Sequence, residues 1–110
     1  MSDKDSHNLD AILEAISKIN SFTKNYSDPD SLYRDDMTFV AVMMNFIVIG
    51  EMVLRISDKF KQAHPQIEWN RIKGFRNLVA HDYFGIDAEE VWQIITNDLP
   101  ILESEVIKIK

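Results

Sequence analysis

The 110-residue chain contains no cysteine. That absence removes disulfide staples, thiolate nucleophiles and cysteine-ligated zinc sites together, and it fits a reducing cytoplasm, the expected location. There is no glycine-rich phosphate loop, no Ser/His/Asp order, no repeat and no low-complexity run. No stretch alternates apolar and polar residues as a half-buried strand would. Cations are also scarce, with 12 Lys and Arg against 18 Asp and Glu and a formal charge of −6. This balance excludes a general nucleic-acid coat, because phosphate binding depends on Lys and Arg neutralising charge. It leaves room for one focused cationic spot, and it equally suits a basic protein partner. The opening MSDKDSHNLD is polar and acidic, unlike a signal peptide. His7 and His64 stand at no metal-ligand spacing from His81, so neither a metal nor a cofactor is expected.

Nearly half of the residues are apolar, and a chain of this length buries roughly two-thirds of its unfolded surface. One domain over residues 1–110 is expected, with 1–7 as a flexible, solvated end. From Asn8, a reasonable N-cap, the positions Leu9, Ile12, Leu13, Ile16, Ile19 and Phe22 recur at three- and four-residue steps. That spacing predicts an amphipathic helix to about Tyr26. Ser27 to Ser31 is turn chemistry, and a short helical turn near Leu32–Arg34 follows.

A long helix is expected from about Asp35 to Ala63, ended by Pro65. Between Met37 and Leu54 only Thr38, Asn45, Gly50 and Glu51 interrupt its apolar residues. Its length would suit a membrane span, but a carboxylate, an amide and a glycine inside the run are costly in lipid. A helix apolar nearly all round is more simply buried on both sides. In so small a domain one side is the protomer core and the other a partner, which predicts a homodimer. A third helix runs from about Trp69 to Ala80 or Asp82. The last begins at Asp87, with Glu90 three residues on as in a capping box, and bends or breaks near Pro100. The expected fold is all-α, an up-and-down bundle of four to five helices.

The third helix carries Arg76-Asn77-Leu78-Val79-Ala80-His81-Asp82-Tyr83. A permanent cation, an amide, an imidazole and a phenol fall within eight residues. Asn77 and His81 share a face at i,i+4, and Gly85 is a plausible stop. Arg71, Lys73 and Arg76 form the candidate basic spot for RNA. This string, Arg-x-x-x-x-His-x-Tyr, resembles that of the HepT-like toxins of the HEPN superfamily, small helical ribonucleases paired with a minimal nucleotidyltransferase antitoxin. Ile49-Gly50-Glu51, Trp69 through Phe75 and Gly85 through Trp92 are similar to the family as well, so the likeness covers about residues 8 to 105. Met52 departs from it, standing where a small residue is common.

Several implications follow from the resemblance. Arg76 and His81 would be catalytic, Asn77 and Glu51 supporting, and Tyr83 the hydroxyl to which the nucleotidyltransferase adds AMP. RNA can be cut without metal by turning its 2′-hydroxyl onto the adjacent phosphate, which needs a base, an acid and positive charge on the phosphoryl oxygens. Histidine suits acid and base work near neutrality, and arginine presents a fork matched to phosphate. Arg76 and His81 are five apart and diverge by roughly 140° on an ideal helix. The resemblance implies that two protomers combine their copies in one cleft at the dimer interface.

Each residue also has a plainer role. His81 would cap the helix C-terminus against its dipole, Arg76 would make a surface ion pair, and Tyr83 would be an amphipathic packing residue. Asn77 would satisfy a nearby backbone group, and Glu51 would pair with Arg55 at i,i+4 rather than hold Arg76 or His81. The rival function is a non-catalytic helical module that serves a separately encoded nucleotidyltransferase. A third is a dimeric scaffold in which the motif is structural.

Overall fold

The computed structural model describes residues 1–82 and 85–110, the side chains of residues 80–82 excepted. The described residues are helical, with α1 over Asp3–Thr23, α2 over Pro29–Arg34, α3 over Asp36–Arg55 and α4 over Asp58–Ala63. They continue with α5 over Trp69–Asp82, α6 over Ala88–Gln93, a π-helical turn over Ile94–Asp98 and α7 over Leu99–Ile109. Leu9, Ile12, Ile16 and Ile19 of α1 meet Phe39, Val42, Phe46, Ile49 and Val53 of α3 in one continuous buried cluster. Ile72, Phe75 and Val79 of α5 join it, as do Leu99, Leu102 and Val106 of α7.

Contacts at the helix ends set directions. Asn8 on the first turns of α1 donates to the Arg55 carbonyl at 3.2 Å, and Tyr26, just past α1, donates to Asp35 at the head of α3. The two helices therefore run antiparallel. Lys110 Nζ reaches Asp10 at 2.6 Å and Ser6 Oγ at 3.0 Å, so α7 ends beside the start of α1. The α1/α3 and α1/α7 pairs thus have the expected up-and-down sense.

Two expectations need correction. The first helix starts at Asp3, not Asn8, because the Ser2 hydroxyl accepts the Asp5 N–H at 3.1 Å as an N-cap. Asp5 itself is buried and accepts the Ser57 N–H at 2.9 Å and the Ser57 hydroxyl at 2.7 Å. The expected single helix from Asp35 to Ala63 is in fact two, broken at Ile56–Ser57. Ser57 caps α4 by accepting the Phe60 N–H while giving its own N–H and hydroxyl to Asp5. One carboxylate from α1 thereby turns the chain between α3 and α4.

Asp5 makes acid sensitivity predictable. Burial alone would raise its carboxyl, but the Ser57 N–H and hydroxyl, the Ser2 hydroxyl and nearby Lys4 outweigh burial and hold it below the ordinary 3.8. Asp35 is lowered by the Tyr26 hydroxyl and by Thr38, and Asp28 by the Ser31 N–H at the cap of α2. Groups with depressed folded values contribute stability that is complete above the unfolded value and lost as pH falls through the folded one. Urea midpoints are therefore expected to hold steady down to about the ordinary carboxyl value of 3.8 and drop below it. Asp5→Asn should lower the midpoint at neutral pH and flatten that acid limb. An unchanged acid limb in Asp5→Asn would assign the loss to the caps at Asp28 and Asp35.

Candidate active site

Helix α5 lies on α3 with Phe75 stacked on Phe46, ring centroids 5.6 Å apart. One turn further along α3 the helices touch backbone to backbone. A Cβ placed on Gly50 would lie 2.6 Å from the Arg76 Cβ, 3.1 Å from its N and 3.3 Å from its Cα. Only glycine allows α5 this close, and the approach brings Arg76 beside Glu51, the next residue of α3. Arg76 Nε and the Glu51 carboxylate form an ion pair. Of the partners open to Glu51 in the sequence, Arg55, Arg76 and His81, the structure gives it Arg76.

The pair is not sealed, since the Arg76 and Glu51 side chains keep 43% and 36% of their exposure. At such a surface an ion pair stabilises little, commonly under about 1 kcal/mol. Its effect is geometric: a carboxylate on a rigid helix restrains a long side chain that otherwise samples many rotamers. The guanidinium engages Glu51 through Nε, and its remaining N–H donors are the ones suited to a phosphoryl oxygen.

Glu51 also terminates a second feature. Met37, Val40, Met44 and Val48 are all exposed on α3, and at about 100° per residue they lie on one face together with Glu51 and Arg55. This apolar stripe runs the length of α3 and ends at the ion pair. Asp36–Arg55 is long and apolar enough to cross a membrane, yet only 39% of an 18-residue apolar span within it is buried inside the chain.

The sequence of this site now meets its relatives. A sequence model of the HepT-like ribonuclease family matches residues 12–109. The chain belongs to the HepT-like ribonuclease family. A Thermococcus cleftensis protein named as a candidate ribonuclease HepT is 35% identical over 102 residues, covering 93% of this chain and 92% of the relative. A Methanocaldococcus jannaschii protein named as a candidate RNase is 34% identical over 95 residues, 86% of each chain. Another candidate RNase, from Caldanaerobacter subterraneus, is 29% identical over 101 residues, 92% of this chain and 89% of the relative. No solved structure matches the chain.

For this HepT-like chain the remaining expected site residues divide as follows. Asn77 is exposed on α5 one residue after Arg76, and Lys73 is half-buried one turn before it. His81 lies on α5 near its C-terminal end; its side chain and the whole of Tyr83 are outside the described residues. Arg71 does not join Lys73 and Arg76 in a single basic spot. Its guanidinium donates to Asp98 Oδ2 from Nη2 at 2.6 Å and from Nε at 3.1 Å. Asp98, then Glu68 and Glu90, raise the Arg71 pKa above its already high ordinary value. Five helical residues from Arg76, it points to the neighbouring π-helical turn instead. Asp98 carried no local signal in the sequence, because its partner is 27 residues away.

Proposed function

We propose that this member of a ribonuclease family is a metal-independent endoribonuclease that acts as a homodimer and forms the toxin half of a toxin–antitoxin pair. The observation that carries the proposal is the Glu51–Arg76 pair, set by Gly50 at the end of the exposed α3 stripe, with Arg76 on α5, the helix that also bears His81. A second copy seated on the stripe with the two α3 helices parallel would bury it and bring two such ends together. The cleft then holds two arginines and two histidines. Neutral histidine takes the proton from the RNA 2′-hydroxyl, whose oxygen attacks the adjacent phosphorus. The second histidine, protonated, delivers a proton to the departing 5′-oxygen as the P–O bond breaks. The products are a 2′,3′-cyclic phosphate and a 5′-hydroxyl. Arg76 neutralises the charge that builds on the non-bridging oxygens, with Lys73 guiding the strand and Asn77 supporting His81. Arg71 stays with Asp98.

Silencing would come from a minimal nucleotidyltransferase partner that adds AMP to Tyr83. An adenylyl phosphate two residues from His81 adds bulk and negative charge where RNA phosphate must sit. The acidic net charge gives a second reading its support: a non-catalytic module held by a basic nucleotidyltransferase.

RNA cleavage by the purified protein in excess EDTA separates these readings. Wild-type protein should cut and leave 2′,3′-cyclic ends. Arg76→Ala should lose ~10²–10³ in rate, as for other removed charge-stabilising donors, and His81→Ala ~10²–10⁴, both remaining folded. Absence of cleavage by protein shown by mass spectrometry to carry no AMP on Tyr83 would leave the binding module.

A further inference from the structure

With no cysteine in the chain, its sulfur chemistry rests on methionine thioethers, whose oxidation is reversible. The five methionines are not equivalent. Met37 and Met44 are 86% and 57% exposed, whereas Met43, adjacent to Met44 in sequence, is 1% exposed. Met37 and Met44 are seven residues apart and share the α3 stripe, and Glu51 is seven residues beyond Met44. Each step is about 10 Å along the helix. Apart from Met1 at the head of the chain, 62% exposed, the exposed thioethers therefore occupy the face that ends at the Glu51–Arg76 pair.

We propose that Met37 and Met44 form an oxidation-sensitive contact patch, and that a peroxide separates the two copies of the enzyme by converting these residues to sulfoxides. The inference rests on the dimeric reading above. Peroxide transfers one oxygen atom to the sulfur as its O–O bond breaks. The sulfur loses two electrons, the peroxide gains them, and water leaves. A flexible apolar side chain becomes a strong hydrogen-bond acceptor. Val40 and Val48, the exposed stripe residues one turn from Met37 and Met44, carry no side-chain donor, so burial of that acceptor against the stripe costs the desolvation of a polar group. A twofold contact repeats the cost. Coverage also runs the other way: a second copy seated on the stripe shields both sulfurs. Oxidation and assembly are thus linked, and dilution should accelerate oxidation. An ordinary surface methionine has no such concentration dependence.

The test treats the full chain with hydrogen peroxide across the concentration range in which sedimentation shows dimer giving way to monomer. Peptide mass spectrometry follows each methionine. Met37 and Met44 should gain one oxygen well before Met43, and more slowly as protein concentration rises. The dissociation constant should increase by at least about tenfold, equivalent to ~1.4 kcal/mol, with RNA cleavage falling over the same concentrations. Methionine sulfoxide reductases should restore both. In Met37→Leu/Met44→Leu, peroxide should leave the variant's own dissociation constant unchanged. A dimer carrying both sulfoxides with an unaltered dissociation constant overturns the proposal alone, as does oxidation of Met43 at the same rate. A chain that is monomeric before any oxidant overturns the dimeric reading as well.

Discussion

Gly50→Ala is expected to destabilise the protein by about 1–3 kcal/mol, the usual penalty for overpacking a tight contact. The melting temperature should fall by ~4–8 °C for each kcal/mol lost. The alanine methyl would sit 2.6 Å from the Arg76 Cβ and 3.1 Å from its backbone N. These atoms belong to the α5 frame, not to the end of a flexible side chain, so relief requires the helix to move. Moving it displaces Arg76 from Glu51, and a misplacement of ~1 Å in a catalytic group can cost about 10²-fold in rate. Cleavage should therefore fall by more than the folded fraction explains. Gly74→Ala provides the contrast, because nothing lies within 4 Å of a Cβ at that position of α5. There the better helix former should gain up to ~0.5–1 kcal/mol. Thermal melts of the two variants, with activity assayed well below both transitions, decide the matter. Equal stability in both would mean that α3 and α5 do not need their close approach.

The second large effect concerns the stripe. Met44→Lys places a cation on an exposed position of α3 and should leave protomer stability within about ±0.5 kcal/mol, as surface substitutions usually do. Across a twofold contact the same lysine meets its own copy, and like charges so juxtaposed cost several kcal/mol. Sedimentation should show monomer at concentrations where the wild type is dimeric. RNA cleavage should fall at least ~10²-fold, as expected if the catalytic groups of two copies act together. A monomer that cleaves at the wild-type rate would refute the shared cleft. A variant that remains dimeric would place the contact on another face.

What could be foreseen from the sequence followed local periodicity. The inward face of α1 is legible as Leu9, Ile12, Ile16 and Ile19, although Phe22, which continues the pattern, remains 39% exposed. The apolar excess of α3 was equally plain, and its unburied side is the exposed stripe. The break at Ser57 could not be foreseen, because neither glycine nor proline marks it and the carboxylate responsible is 52 residues away. The start of α1 has a local cap in Ser2, whereas Asp5 looks like a solvated terminal residue until Ser57 meets it. In the site, the motif announced Arg76 and the neighbouring polar groups, but the choice of Glu51 between Arg55 and Arg76 is tertiary. Gly50 makes that choice by letting α5 approach α3, and nothing local to Gly50 names the helix that approaches.

The π-helical turn has a consequence for the reading frame of the last helix. Leu99 N–H bonds the Ile94 carbonyl five residues back, while the backbone stays helical on both sides. Val91, Ile95 and Leu99, all buried, thus advance four residues per turn, and an unbroken α-helix would let them drift by about 80° over that interval. The widened turn works as an insertion absorbed without a loop. Pro100 follows where the ladder is already interrupted. Because the turn already absorbs the extra residue, removing one residue from it would let the helix close into a regular ladder without turning Leu102 and Val106 away from the core.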